Sequence, residues 1–253
     1  MSAARPAATG IGSRLLRALR RQGPIGFVKL CLFNMRLLLT GKAARHRYIY
    51  DDAWDKAHGV DTAGMVGIDE ITAPDEEKVG AVRYEPTPPD CFSYLIGEAD
   101  AGPPSARTFI DVGSGKGRVL LLAALAGFRR VLGLELGMEL HQAACRNIEV
   151  MRESAGIGDV TSIRADATSY AFPAEPTLCF LNNPFDAPVL DRLIDNIEAS
   201  LAAAPRPFTI LYYHSNHADR LLGRRDWRLV SDGTWRDPSH HFSIFRWDGD
   251  ATA

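Results

Sequence analysis

The run from Phe109 to Ala124, Phe-Ile-Asp-Val-Gly-Ser-Gly-Lys-Gly-Arg-Val-Leu-Leu-Leu-Ala-Ala, constrains the fold more than any other stretch of the chain. An apolar segment carrying Asp111 passes through three alternate glycines, Gly113, Gly115 and Gly117, and enters a long apolar helical segment. That is a strand, a tight turn and a helix, with the turn's backbone amides expected to lie open where the helix begins. Glycine suits such a turn because it tolerates positive φ and lets a ligand approach the main chain closely.

From Thr108 onward short apolar strands alternate with helical stretches, the pattern of a parallel sheet flanked by helices. Strands are expected at Thr108–Val112, Arg130–Leu134, Val160–Arg164, Thr177–Leu181 and Phe208–Tyr213, with helices over 117–126, 137–155 and 188–203. A short helix near 217–223 precedes two further strands, Trp227–Trp235 and His241–Trp247, joined through Asp237-Pro238-Ser239 as a hairpin. Residues 48–80 read as an irregular lead-in. Three prolines then hold Arg83–Asp90 extended, and Cys91–Ala99 follows as a short helix. The extended segment is either a lid across the ligand loop or an ordinary connector.

Three ligand classes compete for the loop. A phosphate loop needs Gly-x-x-x-x-Gly-Lys-Ser/Thr, and Lys116 sits inside the glycines instead of after them. A dinucleotide fingerprint needs Gly-x-Gly-x-x-Gly, and position 118 is arginine. The third class is a turn with no ligand at all, against which the acids weigh. Glu135 ends the second strand, where a carboxylate accepts both hydroxyls of a ribose, and Asp166 follows the third, within reach of an adenine amino group. With Asp111 they line the C-terminal edge of the sheet, and carboxylates suit a cationic sulfonium better than a pyrophosphate.

Asp111-Val112-Gly113-Ser114-Gly115-Lys116-Gly117, with the acids after strands two and three, resembles the class I S-adenosylmethionine-dependent methyltransferases over about residues 80–250. The resemblance implies an α/β fold: a Rossmann-like, seven-stranded, mostly parallel sheet with an antiparallel C-terminal hairpin. It implies S-adenosyl-L-methionine as cofactor, held by Tyr84, Thr87, Asp111, Gly113, Ser114, Gly115, Gly117, Glu135, Asp166 and Asn182. Tyr84-Glu85-Pro86, the glycine phrase and Leu181-Asn182-Asn183 are also similar to the non-SET lysine methyltransferases of the telomeric-silencing type. After strand four, Asn182-Asn183-Pro184-Phe185 resembles the Asp/Asn-Pro-Pro-Tyr/Phe site of amino-group methyltransferases, departing at its second position. Asn182 or Asn183 is then expected to orient a nitrogen nucleophile, with Phe185 beside the methyl path. The acceptor stays open between protein lysine and a small molecule with an oxygen or nitrogen nucleophile. A non-catalytic module with the same fold is the contrasting reading.

Charge divides the chain. Residues 1–50 hold eight Arg and two Lys with no acid, so the remainder of a chain whose net charge is −2 is strongly acidic. Nucleic acid is disfavoured as a partner because only the head offers phosphate-binding charge. The expected organisation is a basic, partly helical extension over 1–50, a lead-in and candidate lid over 51–107, and the cofactor domain over 108–250. Within the head, residues 13–39 read as a helix packed on the domain, a membrane-surface helix giving peripheral contact, or a targeting peptide. The four scattered cysteines fit a reduced, cytoplasmic setting. His214-x-x-His217 and His240-His241 complete no recognisable ligand set, so no metal is expected.

Overall fold

The computed structural model describes residues 53–248 apart from 65, 68–83 and 237. The basic extension over 1–50 and the candidate surface helix at 13–39 therefore lie outside the described residues. Asp52–Ala253 form one compact unit, separate from Met1–Asp51.

The described unit is a seven-stranded sheet in the order β3-β2-β1-β4-β5-β7-β6. The strands are β1 (Thr108–Val112), β2 (Arg130–Glu135), β3 (Asp159–Arg164), β4 (Thr177–Asn182), β5 (Phe208–Tyr213), β6 (Trp227–Thr234) and β7 (His241–Trp247). The first five run parallel, and β7 lies antiparallel to both β5 and β6. The helices are α1 (Ala53–His58), α2 (Pro89–Ala99), α3 (Arg118–Leu125), α4 (Met138–Ala155), α5 (Ala187–Ala203) and α6 (Asp219–Leu222).

Strands buried on both faces are largely apolar, and every residue of β1 and β5 is buried. Successive side chains serve opposite layers. Phe109 and Phe180 pack with Leu120 and Leu121 of α3 and Phe92 and Leu95 of α2. Ile110, Val112, Cys179 and Leu181 pack with Leu190, Leu193, Ile194 and Ile197 of α5. The helices thus cover the sheet on two sides, which leaves its carboxyl edge for loops. Helix ends follow their local chemistry: Asp186 caps α5 by accepting from the Val189 amide (3.2 Å), and Gly156 closes α4 in the left-handed region (φ 62°).

The expected strands stand within a residue or so of those observed. The hairpin strand β6 ends at Thr234, so Trp235 belongs to the turn. The described part of the lead-in is more ordered than expected. It contains α1, and Val66 and Tyr84 form an antiparallel bridge. Part of its order comes from contacts with residues more than fifty positions downstream, Asp55 with Arg118 and Asp61 with Lys116 and Asn147, which local pattern does not carry.

Candidate functional site

Chain direction across the sheet reverses between β1 and β4, since β1 leads outward to β2 and β3 while β4 leads to β5. In open α/β sheets ligands bind in the crevice at the carboxyl ends on either side of that point. Here the loop after β1 is Gly113–Gly117 and the loop after β4 begins at Asn183. The two touch: a Cβ on Gly113 would come within 2.9 Å of Pro184 Cβ.

Gly115 has φ +55°, and a Cβ there would fall 2.1 Å from two ring carbons of Tyr84. Only glycine leaves room for that ring. Four of the loop's five amides are bonded inside the protein, contrary to expectation. Gly113 N (2.8 Å) and Ser114 N (3.1 Å) both donate to Leu134 O, Gly117 N donates to Ser114 O (2.9 Å), and Gly115 N donates to Glu135 Oε2 (2.7 Å). The turn is stitched onto the end of β2, so these amides are spent inside the protein and form no anion cradle. Ser114 is turned the same way: its buried hydroxyl lies against Gly133 and has no hydrogen-bond partner among the described residues.

Asp111 is 3% exposed and Glu135 7%. Glu135 Oε1 accepts from Gly137 N (2.7 Å), completing a two-amide grip with Gly115. Burial raises its carboxyl above the ordinary range, and the amides of Gly137 and Gly115 oppose that. Asp111 has no hydrogen-bond partner among the described residues. Burial, aided by the charge of Glu135, pushes its carboxyl well above the usual carboxylate range. Asp166 is exposed after β3, where its Oδ1 accepts from Thr168 N and Oγ1 (2.8 Å each) and shapes the turn.

The extended lead-in crosses this edge. Tyr84 lays its ring on Gly115 and donates its hydroxyl to Thr62 O (2.7 Å). Burial drives its phenol far above the ordinary range. Thr87, 2% exposed, is held from below by Asn182, whose Nδ2 donates to Glu85 O (3.1 Å) and to Thr87 Oγ1 (3.2 Å). Tyr84, Thr87 and Asn182 therefore meet over the cleft.

On the far side, Asn182 Oδ1 lies 2.8 Å from His214 Nδ1. Because the Asn182 amide nitrogen donates to two oxygens, its Oδ1 is the acceptor, and His214 carries the proton on Nδ1. Tyr212 donates its hydroxyl to Asn183 Oδ1 (3.1 Å), and its phenol is pushed up to about 12 by burial. Asn183 (φ 42°) and His214 (φ 49°) both adopt left-handed backbone where β4 and β5 end. Such conformations persist in non-glycine residues only where the surroundings impose them, and they cluster at functional sites. Phe185 is half-buried and packs against the α5 core. His240 is buried and bonds to the Tyr213 hydroxyl, behind His214. Among the described residues no group of three or more His, Cys, Asp and Glu is arranged to hold a metal ion.

Sequence reasoning passed over Asp55, Thr62 and Arg118. Asp55 and Arg118 form an ion pair (Oδ1 to Nη2 2.8 Å) with side chains 6% and 2% exposed, and Arg118 Nε donates to Thr62 Oγ1 (2.6 Å). The available signal was an arginine at the first turn of an otherwise apolar helix, where it must find a buried partner.

No family model matches the chain, and no curated protein does. The chain is similar to several solved structures. Magnesium protoporphyrin IX methyltransferase from Synechocystis PCC 6803, with bound SAM, is 15% identical over 81% of this chain and 95% of that one (TM-score 0.46). A putative methyltransferase from Escherichia coli is 14% identical over 71% and 92% (TM-score 0.48). A ribosomal protein L11 methylase from Lactobacillus delbrueckii subsp. bulgaricus is 17% identical over 61% and 75% (TM-score 0.45). Among the described residues no helix is long and apolar enough to cross a membrane.

Proposed function

We propose that the chain is an S-adenosylmethionine-dependent methyltransferase acting on a nitrogen nucleophile, with the ε-amino group of a protein lysine as acceptor. The observation that carries the cofactor is Asp111: a buried carboxyl at the switch point, beside a second carboxylate, with no partner among the described residues. Burying such a pair is costly unless a cation compensates it. A sulfonium with an attached amino group is such a ligand, whereas a phosphate would meet two carboxylates beside a glycine loop whose Gly113, Ser114, Gly115 and Gly117 amides are already bonded.

In this reading Glu135 takes the ribose hydroxyls, and Asp166 with the turn it shapes takes the adenine. Asp111 faces the cationic methionine end, which Tyr84 and Thr87 cover. Gly113 and Gly115 leave room for Pro184 and the Tyr84 ring at the cleft, and Ser114 serves by its backbone, which closes the turn. When bound, the cofactor supplies an electrophilic methyl group. The protein's task is then alignment and exclusion of water. Tyr84 and Thr87 close the cleft. Asn183 offers its side-chain oxygen to the acceptor N–H, and Asn182 fixes both the cover and His214 beside it. Phe185, which packs against the α5 core, lies beside the methyl path.

The lysine acceptor rests on the joint presence of Tyr84-Glu85-Pro86, the glycine phrase and Asn182-Asn183 at one cleft. Incubating the protein with methyl-labelled S-adenosylmethionine and a cell lysate, then hydrolysing the macromolecular fraction, tests it. Label recovered as N-methyl-lysine supports the reading. Label confined to small molecules replaces lysine with a small acceptor.

A further inference from the structure

We infer that Asp55, Thr62 and Arg118 are positioning residues for the cofactor cover, forming a buried ring of contacts that starts and ends on the glycine loop. The inference rests on the reading of the cleft as a cofactor site. Arg118 is the first residue of α3, immediately after Gly117, and its side chain turns back toward α1 instead of following the helix. There Asp55 takes its Nη2 at 2.8 Å, and Thr62 Oγ1 takes its Nε at 2.6 Å. Asp55 Oδ2 also accepts the amides of Thr62 and Ala63 (2.6 Å each), which fixes the chain just beyond α1. The carbonyl of Thr62 then receives the Tyr84 hydroxyl at 2.7 Å, and the Tyr84 ring returns to Gly115.

A second tie holds the same segment to the same loop. Lys116 Nζ reaches Asp61 Oδ1 and Ala63 O (3.0 Å each). Asn147 of α4 donates to Asp61 O and Lys116 O (2.9 Å each) and accepts from Asp61 N (2.9 Å). Together these contacts tie α1, residues 61–63 and Tyr84 to residues 115–118.

A buried ion pair contributes little net stability compared with an apolar pair of the same volume, and its best-attested use is to enforce one arrangement over others. The arrangement enforced here is Tyr84 over Gly115. Asp55 and Arg118 are buried, 4% and 2% exposed as whole residues, and act through Thr62 and Tyr84. Exchange of cofactor requires Tyr84 to lift, and the ring sets how often it does.

The test is calorimetric titration of the full-length protein with S-adenosylhomocysteine, with dissociation followed by stopped-flow displacement. Asp55→Asn and Tyr84→Phe each weaken binding by about tenfold, the factor expected when the cover is closed about a tenth of the time. The loss appears in faster dissociation, and the double variant is no weaker than Asp55→Asn alone, because both act through one ring. If the pair is only structural, Asp55→Asn lowers the melting temperature but leaves the affinity of the folded protein unchanged. That result, or two losses that multiply, overturns the inference. Tyr84→Phe removes a single hydroxyl and decides the matter should Asp55→Asn not fold. Failure of the unsubstituted protein to bind S-adenosylhomocysteine overturns the cofactor reading beneath it instead.

Discussion

Replacing Gly115 by alanine isolates the contact on which the cleft depends. Two costs act there. A residue with a Cβ in left-handed backbone loses about 1–2 kcal/mol, and Gly115 has φ +55°. The new methyl would also stand 2.1 Å from Tyr84 ring carbons, so the ring must retreat by more than an ångström to reach ordinary contact. Overpacking of that kind adds about 1–3 kcal/mol, and the retreat pulls the Tyr84 hydroxyl off Thr62 O. Gly156→Ala is the matched control, because it has φ +62° with nothing within 4 Å of the added Cβ. Urea unfolding of both variants should show Gly156→Ala losing only the backbone cost and Gly115→Ala losing visibly more. Calorimetry with S-adenosylhomocysteine should show Gly156→Ala unchanged and Gly115→Ala weakened about tenfold or more, a factor of ten being about 1.4 kcal/mol of displaced cover. Equal destabilisation of the two, or normal binding by Gly115→Ala, refutes the argument.

Other expectations follow from the same geometry. Asp111 has a carboxyl raised by burial and by Glu135, so its stabilising contribution is complete below about pH 4 and is lost as pH rises through its folded value. Asp111→Asn should therefore melt higher than the unsubstituted protein at pH 7.5, with the difference shrinking toward pH 4. The same variant should lose affinity for S-adenosylmethionine more than for S-adenosylhomocysteine, which lacks the sulfonium charge; calorimetry reads the ratio. Asn182→Ala should weaken S-adenosylhomocysteine binding because it releases Glu85 and Thr87, while Asn183→Ala should leave binding intact and abolish label transfer from S-adenosylmethionine. Asp166→Ala removes the two bonds to Thr168 and should cost about 1 kcal/mol of stability, by analogy with a lost helix cap, together with affinity for the adenine-bearing ligand.

The sheet was legible because β1, β2, β4 and β5 are short, largely apolar runs and β3 alternates polar and apolar residues, and the acids Asp111 and Glu135 fall where the first two reach the carboxyl edge. The glycine loop was legible as a turn but not in its orientation. Its amides turn inward because Leu134 O and the Glu135 carboxylate lie beneath it, which only the pairing of β1 with β2 reveals. Asn182 was visible as a candidate for the acceptor, yet its side chain is divided between the cover and His214. That division depends on Glu85 and Thr87, about 95 residues upstream by chain separation. Asp55 was invisible for the same reason: α1 is six residues long, below what local propensity can hold in water. Its order is tied to Arg118, 63 positions away.

The measurement that bears most directly on the central claim is titration of the full-length protein with S-adenosylmethionine, S-adenosylhomocysteine, NAD and ATP in parallel. The account predicts saturable one-to-one binding of the two sulfur nucleosides, abolished by Glu135→Ala, and no binding of the two phosphate-bearing ligands. Binding of NAD or ATP, or binding of none of the four, contradicts it.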